Sequence, residues 1–78
     1  MSKSVTVYSS TTCPYCDMIK NFLSEQGIEY TDVNLNEQPE EIETVLRATG
    51  QMGVPQTNVD GTWVLGFDPD SIMEAMNN

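Results

Sequence analysis

The chain has 78 residues, and a chain this short forms one domain that buries only about 60% of its unfolded surface, which excludes large clefts and multi-cofactor sites. Twelve acidic side chains against Lys3, Lys20 and Arg47 give a net charge of −9, which sets the chain against nucleic acid and anionic membranes, because phosphate binding depends on lysine and arginine. Histidine is absent, which removes the usual general base, the commonest metal ligand, and both Ser-His-Asp and Cys-His catalysis.

With 38% hydrophobic and 19% charged residues the composition is that of a globular domain, expected to span 1–78. The apolar runs are too short for a transmembrane span, and Met1-Ser2-Lys3-Ser4-Val5 holds no apolar leader core, so a cytoplasmic location is expected.

In chain order, Ser4-Val5-Thr6-Val7-Tyr8 alternates and is rich in strand formers, which predicts a strand. The polar loop Ser9-Ser10-Thr11-Thr12 follows. Tyr15, Met18, Ile19, Phe22 and Leu23 then fall on one apolar helical stripe, which Gly27 ends. A second strand is expected within Ile28 to Leu35, centred on Tyr30-Thr31-Asp32-Val33. A second helix is expected from near Pro39 to Thr49, with Ile42, Val45 and Leu46 facing inward and Gly50 as its stop. Glu40, Glu41 and Glu43 at its start and Arg47 near its end suit the helix dipole, and Glu43 and Arg47 are spaced i, i+4.

Gln56 to Val59 and Thr62 to Leu65 flank Asp60-Gly61, a hairpin signal of type I′. Asp68-Pro69 offers an N-cap followed by proline at the first helical position, and Ile72, Met73 and Met76 mark a short C-terminal helix. A helix between strands one and two requires a parallel pair, and the hairpin adds antiparallel strands. The expected fold class is α/β, a four-stranded mixed sheet with helices on its faces. The methionines and Trp63 are expected to pack.

The two cysteines are Cys13 and Cys16, in Cys13-Pro14-Tyr15-Cys16. One bridge closing so small a loop constrains the unfolded chain little. A zinc site takes about four ligands, so two cysteines without histidine supply half of one, and no metal is expected. A redox pair beside a βαβ pattern is the reading that remains. Pro14 suits the first position of helix one, which makes Cys13 the N-cap, its sulfur facing the N–H groups of Tyr15 and Cys16. Those donors and the helix dipole favour the thiolate, while Asp17 opposes it and Lys20 partly offsets Asp17. Cys13 is thus the expected nucleophile, and Cys16, inside the first turn, the resolving thiol.

These residues resemble the glutaredoxin branch of the thioredoxin-like fold over nearly the whole chain. Cys13-Pro14-Tyr15-Cys16 is identical to the dithiol glutaredoxin tetrad. Gly53-Val54-Pro55-Gln56 is similar to the family's Thr-Val-Pro-Gln, and Gly66-Phe67-Asp68 to its Gly-Gly-Cys-Asp turn. The resemblance implies a minimal βαβαββα thioredoxin-like fold, a cis bond before Pro55, and a dithiol–disulfide oxidoreductase with no bound cofactor. It implies a substrate groove at Tyr15, Val54, Pro55, Gly66, Phe67 and Asp68, with the Val54 backbone pairing with the bound thiol peptide. Asp68 would bind the amino group of glutathione, the implied co-substrate; its residue type alone points to the helix cap. Tyr15 packs in the core by spacing and borders the groove by resemblance.

Two departures qualify this. Ser10 stands where glutaredoxins often carry a lysine for a glutathione carboxylate, and Leu65 replaces the first glycine of the Gly-Gly pair. Gly66-Phe67-Asp68-Pro69-Asp70 instead looks like the turn of NrdH-type redoxins, which take electrons from thioredoxin reductase and pass them to ribonucleotide reductase. The expected partners are therefore glutathione or a thioredoxin-reductase-type flavoenzyme, together with disulfide-containing target proteins, acting on a monomer. A third reading, an iron–sulfur carrier, asks for four thiolate ligands, of which this chain holds two.

Overall fold

A computed structural model of the protein describes residues 3–77. The elements are β1 (Val5–Ser9), α1 (Pro14–Glu25), β2 (Thr31–Asn34), α2 (Glu41–Thr49), β3 (Gln56–Val59), β4 (Thr62–Leu65) and α3 (Pro69–Asn77). They form the expected βαβαββα order, a thioredoxin-like arrangement. The sheet runs β2-β1-β3-β4, with β1 parallel to β2 and antiparallel to β3, and β3 antiparallel to β4.

Strand alternation divides the interior into two layers. Val5, Val7, Val59 and Val64 point to one face, where Ile19 and Leu23 of α1 and Ile72 and Ala75 of α3 cover them. Tyr8 points to the other face with Leu35, and Val45 of α2 closes that layer, flanked by Ile42, Val54 and Trp63. Tyr8 and Trp63 stack there, ring centroids 5.3 Å apart. Burial, with the Glu41 carboxylate second, pushes the Tyr8 phenol above its ordinary range. In the first layer Thr57 is fully buried, and its Oγ1 is the buried side-chain polar atom left without a partner among the described residues.

Local chemistry sets the element ends. Asp60 and Gly61 both have positive φ, at 50° and 100°, as a type I′ turn needs, and Asn58 Oδ1 accepts from the Gly61 N–H at 2.7 Å. Gly50 closes α2 in the left-handed region at φ 72°. Arg47 and Glu43 pair as their spacing predicts.

Four apolar assignments fail, those of Leu46, Met18, Tyr15 and Met52, the last 58% exposed in the loop before Pro55. Leu46 is 39% exposed, because α2 presents Ile42 and Val45 to the sheet and Leu46 lies on the flank. On α1 the inward line is Cys16–Ile19–Leu23, which leaves Met18 about 130° round the helix and exposed. Tyr15, in the first turn, is 60% exposed, so its core-packing reading is wrong. Beyond the expected apolar positions, Ala75 is buried on the inner face of α3.

Candidate active site

β1 delivers the chain to the site at its C-terminal end. Leu35 N–H donates to the Ser9 carbonyl at 2.8 Å, extending the parallel ladder by one step. The loop that follows is tied to the end of β2. Asn36 Oδ1 accepts from the Thr11 N–H at 2.8 Å, and Asn34 Oδ1 accepts from the Asn36 N–H at 2.9 Å. Ser9 Oγ donates to Asp32 Oδ1 at 2.7 Å, and Lys20 Nζ donates to the other oxygen at 3.1 Å. The turn carrying Cys13 is thereby fastened to β2 by side chains, an anchorage the sequence patterns did not reveal.

Cys13 is the N-cap of α1, in extended conformation at φ −149° and ψ 95°, and Pro14 is the first helical residue. The chain therefore turns sharply at Cys13, and its sulfur sits over the helix start. Of the two N–H groups expected to face that sulfur, Cys16 N–H donates to it at 3.1 Å. Cys13 and Cys16 are joined as a disulfide with Cα atoms 5.2 Å apart. Cys13 is half-buried and Cys16 only 1% exposed, so a thiol from solvent reaches the Cys13 sulfur first. Asp17 is exposed in the first turn, and Lys20 bridges toward it at 3.9 Å as well as to Asp32.

The second wall of the site is the segment before β3. The Val54–Pro55 peptide is cis, as the resemblance implies. Pro55 is buried, and its carbonyl accepts from the Gly66 N–H at 2.8 Å. That bond fastens the Gly66 turn to the Val54–Pro55 segment. Gly66 adopts φ 74°, a left-handed conformation that side chains strain to reach.

Gln56 organises the approach to this segment. Its Nε2 donates to the carbonyls of Gln51 at 3.0 Å and Gly53 at 2.8 Å, and its Oε1 accepts from Thr49 Oγ1 at 2.8 Å. The side chain is 1% exposed, and its bonds hold the loop that presents Val54. Gln56 stood in the Gly53-Val54-Pro55-Gln56 motif, which was the available signal, but its positioning role emerges only from these bonds.

A shallow groove of about 140 Å³ lies along Gly53, Val54, Pro55, Leu65 and Gly66. Leu65 is 48% exposed on its rim. Tyr15, Met18, Met52 and Phe67 are also exposed, and of the expected groove residues Tyr15, Phe67 and Asp68 do not line this hollow. Asp68 is an N-cap in fact: Ser71 N–H donates to Oδ1 at 3.2 Å and Ser71 Oγ to Oδ2 at 2.8 Å. Among the described residues no group of three or more His, Cys, Asp or Glu is placed to hold a metal, and no helix is long and apolar enough to cross a membrane.

A half-buried sulfur at a helix N-terminus, joined to a fully buried partner three residues on, is an arrangement for thiol–disulfide exchange. Comparison with known proteins agrees. The glutaredoxin family model matches residues 5–64. A glutaredoxin-like 8.6 kDa protein in the rubredoxin operon of Clostridium pasteurianum is 35% identical over 87% of this chain and 91% of its own length. The glutaredoxin-like protein NrdH of Lactococcus lactis subsp. cremoris is 38% identical over 87% of this chain and 93% of its own. Among solved structures, NrdH-redoxin from Escherichia coli, a glutaredoxin-like protein with a thioredoxin-like activity profile, superposes with a TM-score of 0.80. It shares 27% identity, with 91% of this chain and 92% of that one covered.

Proposed function

The chain belongs to the glutaredoxin family and is a thiol–disulfide oxidoreductase, and we propose that it reduces protein disulfides with electrons from a thioredoxin-reductase-type flavoenzyme. The observation that carries this reading is the groove beside Pro55, whose lining includes no cationic side chain. Glutathione brings two carboxylates and one ammonium, so a site for it needs at least one fixed cation. Lys20 is engaged by Asp32 and Asp17, and Arg47 pairs with Glu43 on α2. Lys3 precedes β1, at the end of that strand away from the cysteines. Ser10 supplies no charge, and Leu65 projects from the groove rim where the family often has glycine. The net charge of −9 repels an anionic tripeptide further. On the other side stands Asp68, a carboxylate at the family's position for the amino group of glutathione.

The reaction runs in two exchanges. The Cys13 thiolate attacks one sulfur of the target disulfide, forming a mixed disulfide and releasing the target's other sulfur as a thiolate that takes up a proton. The Cys16 thiol gives up its proton and its sulfur attacks Cys13 Sγ, which releases the second target thiolate and closes the Cys13–Cys16 bridge. The target gains two electrons and two protons, and the flavoenzyme restores the dithiol with a hydride equivalent from NADPH and one proton from solvent. The Cys16 N–H and the start of α1 stabilise charge on Cys13. Val54, beside the groove, offers its backbone to the incoming chain, and Tyr15 and Phe67 supply apolar surface. The protein acts as a monomer in the cytosol, where thiols are kept reduced.

The test is NADPH consumption with the oxidised protein in two couplings, one with glutathione and glutathione reductase, the other with thioredoxin reductase. Turnover in the second coupling alone is expected. Turnover in the glutathione coupling alone overturns the choice of donor, and Ser10 and Leu65 are then tolerated substitutions.

A further inference from the structure

The two edges of the sheet, β2 and β4, are built differently. β2 carries Asp32, held by Ser9 and Lys20, and a charge on an edge strand discourages pairing with another chain. β4, Thr62-Trp63-Val64-Leu65, carries neither charge nor proline. The register decides which of its backbone groups are free. Gly66 N–H bonds the Pro55 carbonyl, and in an antiparallel ladder bonded pairs recur at every second residue. Thr57–Val64 and Val59–Thr62 are therefore the bonded pairs, and Trp63 and Leu65 turn their N–H and C=O groups outward. Among the described residues no strand pairs with that outer side.

Beside this edge lies a groove of about 390 Å³ between β4 and α3, larger than the hollow at Pro55. Ser71 and Ala75 keep its α3 wall low, and its charged groups, Asp68 and Glu74, are both carboxylates. Glu74 makes no ion pair among the described residues.

We propose that the β4 edge is a docking site for an extended segment of a partner protein, which adds to the sheet as a fifth strand and sets basic side chains against Asp68 and Glu74. The backbone groups of Trp63 and Leu65 supply the main-chain bonds, as in other cases of strand addition. Alternate residues of an added strand share one face, so basic residues at i and i+2 of the segment both lie over α3. A second copy of this chain fits poorly, since its β4 carries no basic residue to meet Glu74 and each copy bears −9. β4 ends at Leu65, one residue before the Gly66 turn, so a segment seated here leads toward the redox end of the sheet. The site orients a partner and leaves the groove at Pro55 free.

The probe is the capped hexapeptide Val-Lys-Val-Lys-Val-Thr, with Val-Glu-Val-Glu-Val-Thr as its control. Neither contains cysteine, so binding is measured apart from turnover and from the choice of electron donor. Trp63 is the single tryptophan and lines the groove, so its fluorescence reports occupancy. The lysine peptide is expected to give a saturable change and to slow amide exchange at Trp63 and Leu65. Glu74→Lys is expected to weaken it about tenfold, ~1.4 kcal/mol, and to make the glutamate peptide the better ligand. Equal responses to both peptides, indifference to Glu74→Lys, or no protection of the two amides overturns the proposal. A concentration-dependent dimer in sedimentation that protects the same amides without peptide assigns the edge to a second copy and also overturns it.

Discussion

Asp68→Ala tests whether the turn after Gly66 is built first as a helix start. Asp68 accepts two hydrogen bonds from Ser71, one from its backbone N–H and one from its hydroxyl. Loss of an N-cap of this kind costs about 1 kcal/mol, within a range of roughly 0.5–2, and loss of the carboxylate at the helix start adds about 0.3–1. Fraying of α3 is not a local event, because Ile72 and Ala75 cover Val59 and Val64 in the first core layer. The cost therefore falls on global stability, and at about 4–8 °C per kcal/mol for a domain of this size a central loss of about 1.3–2 kcal/mol lowers the melting temperature by roughly 5–16 °C. Asn caps about as well as Asp, so Asp68→Asn loses less than half of that. Thermal unfolding followed by circular dichroism makes the comparison on the oxidised protein. An Asp68→Ala variant that melts with the parent refutes the reasoning. A raised KM for a disulfide substrate in Asp68→Asn, at nearly parental melting temperature, measures the part the carboxylate plays in docking.

Thr57→Val replaces a buried, unpartnered hydroxyl with a methyl group of the same shape between Val7 and Val64, and is expected to stabilise by about 1–3 kcal/mol in urea unfolding. A loss of stability would mean that the hydroxyl has a partner. For Tyr8 the native pKa is raised, so its contribution to stability is intact below the unfolded value of about 10 and is lost as pH rises toward the native one. Tyr8→Phe is therefore expected to show a shallower loss of stability than the parent from about pH 9 to about pH 11, and parallel curves would contradict this. Cys16→Ser is expected to accumulate a mixed disulfide on Cys13, and Cys13→Ser to form none, with mass spectrometry showing the reverse if the roles are exchanged.

The fold was legible because each local signal pointed the same way. Asp60-Gly61 fixed the hairpin to the residue, and Gly50 and Asp68-Pro69 marked helix ends that the backbone confirms. β1 and β2 each lie one residue from the predicted centre, since a strand's ends depend on pairing with neighbours that pattern alone does not locate. Helical spacing also misled, because it ranks residues by apolarity. Tyr15 and Leu46 flank the buried lines and Met18 lies well away from one, so the sheet covers a narrower line of each helix than apolarity suggested. The cysteine pair was legible from its spacing and its place after β1. The polar supports were not: Gln56, Asn34, Asn36 and Asp32 act through partners between 2 and 25 residues away, which a one-dimensional pattern does not connect.

The donor choice can be argued from the same geometry and reversed by it. Leu65 rims the groove at Pro55 and Ser10 starts the loop to Cys13, so the double variant Ser10→Lys/Leu65→Gly restores a cation and a glycine together. A new charge-assisted bond to a carboxylate is worth about 1.5–3 kcal/mol. At ~1.4 kcal/mol per tenfold, glutathione-coupled kcat/KM is expected to rise by roughly ten- to a hundredfold. Glycine in a strand costs about 0.5–1 kcal/mol, small enough for the variant to stay folded, and circular dichroism verifies this. Leu65→Gly alone opens the groove without adding charge, so it is expected to gain much less. If the double variant folds and gains nothing, the missing cation is not what keeps glutathione out, and the case for a flavoenzyme donor loses its physical basis. If the parent already turns over with glutathione as fast as the variant, the groove binds the tripeptide without a fixed cation, and the electrostatic argument is wrong at its root.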